Sequence, residues 1–185
     1  MTCEIRPMRG RDLWRVVAIE RQAFPEDPWT VATAGGWLAR ATSGGQARYA
    51  PWVARLIRLI RLNEAITFVR LGCLVALGRP SGLAYIVAEA DATVAGYACL
   101  SALAGGEADI QMIAVRPDRQ GQKIGTALLT ELIAMAQARA CHGIVLYVRA
   151  DNDRAYRLYR RTGFTDAGVR RGFYQPSGED AIVMR

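Results

Sequence analysis

The stretch from residue 110 to residue 140 constrains the fold more than any other part of the sequence. Residues 110–115 (IQMIAV) form a short apolar run that predicts a buried strand. A loop containing Gly121 and Gly125 follows, and apolar residues then recur at helical spacing from near Gln122 onwards. The backbone N–H groups at such a helix start point in one direction, at the positive end of the helix dipole. The loop is therefore a candidate site for a phosphate group.

The remaining sequence predicts further strands with helices between them. Strands are predicted at 3–7, 83–90, 93–103, 143–150, 168–174 and 179–185, and helices at 12–21 and 152–164. This order favours an α/β (α+β) fold with a mixed sheet. Because 185 residues can enclose a core of their own, we expect a single domain over residues 1–185.

Residues 40–80 form a segment that is both basic and apolar. It contains seven arginines but only one acidic residue, Glu64, and supplies +6 of the net charge of +7. Pro51 is placed to begin a helix with Arg55, Arg58 and Arg61 on one face. The apolar run that follows is interrupted by Arg70 and is too short to cross a bilayer, so no transmembrane segment is expected.

The cysteines and the single histidine bear on cofactors and on compartment. The four cysteines are scattered without a CxxC pair, and His142 is the only histidine, so we expect no metal site. The first residues lack the apolar core of a signal peptide. A cytoplasmic protein with reduced thiols is the expectation.

Two motifs together resemble the GNAT acetyltransferase superfamily. The motif IAVRPDRQGQKIGTALL (113–129) is followed by RADNDRAYRLYRRTGF (149–164). The tail RRGFYQPSGEDAIVM (170–184) further resembles the RimI-type ribosomal-protein alanine N-acetyltransferases. The resemblance implies a GNAT fold, with a central sheet opened between its fourth and fifth strands and flanked by helices. Residues 40–80 would then be a helical insertion within it.

The same resemblance implies a site for acetyl-CoA or another acyl-CoA between the separated strands. Main-chain groups of 113–115 would pair with the pantetheine arm, the amides of 121–126 would hold the pyrophosphate, and Asn152 would bind the arm again. Tyr159 would face the thioester sulfur and act as general acid. The implied cofactor-binding residues are Ile113, Ala114, Val115, Gln120, Gly121, Gln122, Lys123, Ile124, Gly125, Thr126 and Asn152.

Two positions depart from the family pattern. Lys123 occupies a position where the family loop has glycine, and Tyr147 occupies the position of the RimI-type glutamate that is taken as the general base. A tyrosine, with a pKa near 10, is a poor base at neutral pH. Asp109, on the preceding strand, matches the position of the base in other GNAT enzymes. If Asp109 is structural, water or Tyr147 would have to carry the proton.

The function that these features favour is N-acyl transfer from an acyl-CoA to the α-amine of a protein or peptide N-terminus. An α-amine has a pKa of about 7.7–8.0, so it needs less help from a base than a lysine does. Two alternatives remain: a fatty-acyl, small-molecule or natural-product-peptide acyltransferase, and a GNAT-shaped binding protein with impaired catalysis. The 40–80 segment could be a helical lid, a peripheral membrane contact, an acyl channel, or a docking site for an acyl carrier protein or the ribosome.

Overall fold

The computed structural model describes residues 3–24, 83–103, 105–174 and 177–185. The strands are β1 (Cys3–Pro7), β2 (Leu83–Ala90), β3 (Thr93–Ala102), β4 (Glu107–Val115), β5 (Gly143–Arg149), β6 (Asp166–Tyr174) and β7 (Glu179–Met184). The helices among these residues are α1 (Leu13–Ala23), α2 (Ile124–Ala138) and α3 (Asp153–Arg161). The segment 40–80 lies outside the described residues, so the structure does not test any of the four roles considered for it.

The strands form one sheet in the order β1-β2-β3-β4-β5-β7-β6. The pairing of β4 with β5 is parallel, and the other pairings are antiparallel. One face of the sheet packs against α2 through a cluster that includes Leu100, Ile110 and Leu128. The other face packs against α1 through a cluster that includes Val16, Ile19 and Tyr97. The sheet therefore separates two apolar cores, as a layered α/β fold requires.

A β-bulge at Gln111 changes which face of the sheet the end of β4 presents. Cys99 of β3 lies opposite Met112 and Leu100 lies opposite Ile110, so Gln111 is the extra residue. Before the bulge Ile110 faces the α2 cluster, and after it Met112 faces the α1 cluster. Such a bulge bends the strand and increases its twist.

The predicted opening between the fourth and fifth strands is confirmed. The β4–β5 ladder pairs Glu107–Ile110 with Gly143–Leu146 and ends there. Beyond it β4 continues to Val115 and β5 continues to Arg149, without register partners on each other. The ladder stops at the residue before the bulge, so the bulge gives a local cause for the separation.

The sequence-based element boundaries differ from the structure mainly in β4. Its apolar part was predicted at 110–115, but the strand begins at Glu107 because Glu107 and Asp109 pair with β5. Acidic residues are weak strand formers, so the sequence pattern hides these positions. No helix among the described residues has both the length and the apolar character needed to cross a bilayer.

Candidate active site

The loop between β4 and α2 presents the start of a helix at the mouth of the opening. Gly121 has a φ of 83°, and Lys123, the N-cap of α2, has a left-handed conformation with φ 63° and ψ 9°. The N–H of Ala127 donates to the carbonyl of Lys123 at 3.0 Å and closes the first turn. The amides of the residues between them, Ile124–Thr126, precede that bond and have no helical carbonyl to donate to.

Side chains fasten this loop to β4 and to α3. Gln120 Nε2 donates to the carbonyl of Val115 at 3.2 Å, and Arg154 Nη1 of α3 donates to Gln120 Oε1. A Cβ added at Gly125 would lie 3.4 Å from Leu158 Cδ2 of α3. The loop is thus held on two sides, and Arg154 adds a positive charge beside it. Gln122 and Lys123 lie exposed at its outer edge.

Two of the three residues expected to contact the pantetheine arm direct their main-chain groups towards the opening, and of these the Val115 carbonyl already accepts the bond from Gln120. Arg116 N–H donates to the carbonyl of Ala95 on β3 at 2.8 Å. Because main-chain groups alternate in direction along an antiparallel pair, Ala114 also points towards β3, whereas Ile113 and Val115 point towards the opening. The main chain of Ala114, which the family resemblance assigns to the pantetheine arm, is therefore directed to Tyr97 opposite it.

Asn152 is the N-cap of α3. Its Oδ1 accepts a hydrogen bond from Ala155 N–H at 3.0 Å, which satisfies one of the free amides at the helix start. The side-chain oxygen is therefore engaged. The part of Asn152 that would bind a pantetheine arm is its Nδ2 amide.

Tyr159 lies in α3 with its ring in the α2-side core. The residue is 7% exposed, and its ring contacts Phe164 edge to face with 6.0 Å between centroids. Burial raises the pKa of Tyr159 to about 12. A phenol with a raised pKa stays protonated at neutral pH, which is the state that a proton donor needs.

Asp109 and Tyr147, the two candidates for the general base, lie on different sides of the point where the strands separate. Asp109 is within the closed part of the sheet, opposite Ser101 on one side and Val145 on the other. Its Oδ2 accepts a hydrogen bond from Gln111 Nε2 at 3.1 Å. Tyr147 follows Leu146, the last residue of β5 paired with β4.

Aromatic and basic residues of β6 surround Tyr147. Because Leu146 and Val148 lie in the α2-side core, Tyr147 points to the opposite face. Its ring stacks on that of Phe173, with centroids 4.9 Å apart and planes 13° apart. The guanidinium of Arg170 lies over both rings, at 5.5 Å from the Tyr147 centroid and 5.1 Å from the Phe173 centroid.

A third carboxylate, Glu20 of α1, was not identified from the sequence. Glu20 is 9% exposed and accepts a hydrogen bond from the hydroxyl of Tyr97, which is 3% exposed. The Tyr97 hydroxyl also lies 2.7 Å from Met112 Sδ, just past the bulge in β4. The available signal was that Glu20 follows Val16 by one helical turn, on the apolar face of its helix.

Among the described residues, no group of three or more His, Cys, Asp or Glu side chains is placed to hold a metal ion. The loop amides and the edge of β4 that is not paired with β5 lie at the opening, and α3 adds Asn152 at its start and Tyr159 in the adjoining core. Asp109 lies deeper, where β4 and β5 are still paired.

Comparison with known proteins places this geometry in a family. The sequence model of the Acetyltransferase (GNAT) family matches residues 51–164, which is more than half of the chain. The N-alpha-acetyltransferase RimI of Mycobacterium tuberculosis is 43% identical over 105 residues, covering 55% of this chain and 64% of that protein. A putative ribosomal protein bS18-alanine N-acetyltransferase of Bacillus subtilis is 33% identical over 100 residues, covering 54% and 66%. The chain thus spans slightly less than two-thirds of the length of these relatives.

A solved structure agrees over nearly the whole chain. The ribosomal-protein-S18-alanine N-acetyltransferase of Escherichia coli superposes with a TM-score of 0.67 and 26% identity, covering 99% of this chain and 92% of that one. The parallel β4–β5 pair that opens beside a helix start is consistent with that agreement. On the strength of the matched family model, the chain belongs to the GNAT family of acetyltransferases.

Proposed function

We propose that this protein is an N-acetyltransferase that moves an acetyl group from acetyl-CoA to the α-amine of a protein or peptide N-terminus. The observation that carries the proposal is the opening between β4 and β5, with the start of α2 at its end. A diphosphate suits the free amides of that helix start, and a thioester arm suits the edge of β4 that is not paired with β5. The gap would then hold the acetyl group between the two faces of the sheet.

In the proposed reaction the chain's own side chains take part in three proton transfers. A base on the acceptor side removes one proton from the ammonium, and the neutral amine attacks the thioester carbonyl. The new C–N bond forms, the C–S bond breaks, and Tyr159 gives its proton to the leaving sulfur. The second proton of the amine nitrogen restores the Tyr159 hydroxyl. Asp109 is the base that we propose, acting from the closed end of the gap.

The acceptor that we propose first is a ribosomal protein N-terminus in the cytoplasm. The supporting observation is that the relatives from Bacillus subtilis and Escherichia coli carry the names of ribosomal-protein alanine acetyltransferases. An N-terminal amine is also partly neutral near pH 7.7–8.0, so it tolerates a site in which the usual glutamate is replaced by tyrosine.

The test is single-turnover release of free CoA from acetyl-CoA with a panel of N-terminal peptides. Replacing Tyr159 by Phe removes the proposed proton donor, and we expect kcat to fall by about 10²–10⁴. Tyr156→Phe is the matched control, because Tyr156 is on the same helix but its hydroxyl donates to Asp166 at 3.1 Å on the surface. Equal rates for the two variants would contradict the role of Tyr159.

A second candidate function is a binding protein with impaired catalysis. The observation that favours it is Tyr147, which stands at the glutamate position and is stacked on Phe173. Such a protein would bind CoA in calorimetry but release no CoA from acetyl-CoA with any peptide. Turnover of one peptide is enough to exclude it.

A further inference from the structure

We propose that Arg170, with the rings of Tyr147 and Phe173, binds a carboxylate of the acceptor, so that this enzyme prefers N-termini closely followed by Asp or Glu. The inference rests on the proposed function and names the substrate class of the same site. Three observations support it: the position of these side chains, their contacts with one another, and the positive charge of Arg170 beside the opening.

The position of Tyr147 makes it part of the acceptor side of the opening. It is the first residue of β5 beyond the last pair with β4, and it points away from the core that contains Tyr159. An amine that approaches the proposed thioester site from that face would meet this ring. The main chain is fixed there as well, because the Tyr174 hydroxyl donates to the carbonyl of Tyr147 at 3.3 Å.

The two rings hold the guanidinium of Arg170 in place. A guanidinium over an aromatic face keeps its N–H edge available for hydrogen bonds, and that planar edge matches a carboxylate. The side chain of Arg170 lies at the surface, so a peptide can reach it. The stack therefore orders an arginine in advance and lowers the conformational entropy lost on binding.

Charge distinguishes Arg170 from its neighbours. Arg149 pairs with Glu179, and Arg171 lies 3.7 Å from a carboxylate oxygen of Asp180. Within the part of the chain that the structure describes, Arg170 makes no ion pair and contacts the two rings instead. Its positive charge is thus left for a ligand, and a carboxylate from the acceptor is the complementary group.

Tyr147 explains why we expect this preference in this protein and not in proteins with the RimI-type glutamate at that position. The RimI-type pattern has a glutamate at the position of Tyr147, and a carboxylate there would face Arg170 and neutralise it. Tyrosine removes that negative charge but leaves the arginine and a flat surface beneath it. With glutamate at position 147, the two side chains would form a neutral ion pair. With tyrosine, Arg170 keeps its positive charge and lies over the two aromatic rings.

The experiment measures KM and kcat with acetyl-CoA and three peptides. The peptides differ only at one position close to the N-terminus, which carries Asp, Asn or Lys. With the natural protein we expect a KM about tenfold lower for the Asp peptide than for the Asn peptide, and a higher KM for the Lys peptide. Arg170→Gln should raise the KM for the Asp peptide about tenfold and abolish the preference. Arg171→Gln, on the adjacent and 90% exposed side chain, should retain it.

Tyr147→Glu supplies the reverse test, because its carboxylate would compete for Arg170 and should remove the preference for the Asp peptide. Equal KM values for the Asp and Asn peptides in the natural protein would overturn the inference, as would an unchanged preference in Arg170→Gln. Absence of turnover with every peptide contradicts the proposed function instead. In that case, calorimetry of the Asp and Asn peptides against the natural protein and Arg170→Gln still decides the inference: only tighter, Arg170-dependent binding of the Asp peptide supports it.

Discussion

Lys123 adopts a backbone conformation that its side chain disfavours. Its φ of 63° and ψ of 9° are left-handed, a region that costs a non-glycine residue about 1–2 kcal/mol. Lys123→Gly removes this strain but makes the unfolded chain more flexible. We therefore expect a gain of up to about 1 kcal/mol in the free energy of unfolding, measured with urea.

The same substitution should weaken cofactor binding if the ammonium contacts a phosphate. Calorimetry with CoA should give a higher Kd for Lys123→Gly, and the difference should shrink at high salt. Lys123→Asn is the control, because asparagine tolerates left-handed angles yet carries no charge. If both variants bind CoA as tightly as the natural protein, Lys123 has no role in holding the diphosphate.

Asp109 and Glu20 are two carboxylates on the described part of the chain that could take the amine proton. Asp109→Asn and Glu20→Gln each remove the charge while keeping a hydrogen-bond acceptor for Gln111 or Tyr97. We expect Asp109→Asn to lower kcat and to displace the acidic limb of the pH–rate profile, whereas Glu20→Gln changes stability alone. The opposite result would assign the base to Glu20.

Among the secondary-structure elements, the packing of α2 on the sheet depends on Gly96 of β3. A Cβ at Gly96 would lie 2.9 Å from the carbonyl oxygen of Ala114 and 3.1 Å from Leu128 Cδ1. It would also lie 3.3 Å from Ile124 Cγ2, in the first residue of α2. The nearest of these atoms is a main-chain oxygen, which cannot turn away as a side chain can, so Gly96→Ala must shift β3 relative to the end of β4 and disturb the contact with α2.

We expect Gly96→Ala to lower the free energy of unfolding by about 1–3 kcal/mol and to weaken CoA binding, because the loop that we propose to hold the diphosphate connects β4 to α2. Urea unfolding and calorimetry measure the two effects. Gly10→Ala is the matched control, since a Cβ there meets no atom within 4 Å. If Gly96→Ala is as stable as the control, the packing between α2 and the sheet accommodates the added methyl group without cost.

In the molecule as a whole, two ion pairs of Arg6 connect the N-terminal strand to the rest of the fold. Arg6 Nη1 lies 2.7 Å from Asp12 Oδ2, and Arg6 Nε lies 2.7 Å from Glu89 Oε2. The Asp12 side chain is 0% exposed and also accepts the N–H of Arg9 at 2.8 Å. These bonds join β1, the turn before α1 and β2.

The hydrogen bonds from Arg6 lower the pKa of Asp12 below its usual value. A lowered folded-state pKa means that the unfolded chain binds the proton more tightly. The stability that Asp12 contributes is therefore complete above about pH 4 and is lost as the pH falls through its folded pKa. Asp12→Asn should lower the free energy of unfolding at pH 7 by about 3 kcal/mol and remove this part of the acid dependence.

Urea unfolding between pH 3 and pH 7 measures the effect of Asp12→Asn. Asp118→Asn is the control, because its carboxylate pairs with Arg116 at the surface and solvent screens that pair. The control should follow the natural protein across this range. If Asp12→Asn does so too, the Arg6–Asp12 pair does not stabilise the fold.

The order of strands and helices and the position of the loop between β4 and α2 could be predicted from the sequence. Its periodic patterns located β2 at residues 83–90 and the start of α2 within a few residues. Local patterns succeed here because burial on one face imposes a period of two or 3.6 residues on each element. The motifs of 113–129 and 149–164 were sufficient to indicate the family that the matched sequence model bears out.

The side chains that meet across the sheet could be identified only in the folded chain. The bulge at Gln111, the pairing of Glu20 with Tyr97, and the stack of Arg170 on Tyr147 and Phe173 join residues that are far apart in sequence. Such contacts depend on strand register, because a shift of one residue sends a side chain to the other face. Register is set by the pairing of all the strands together, which no local pattern in the chain contains.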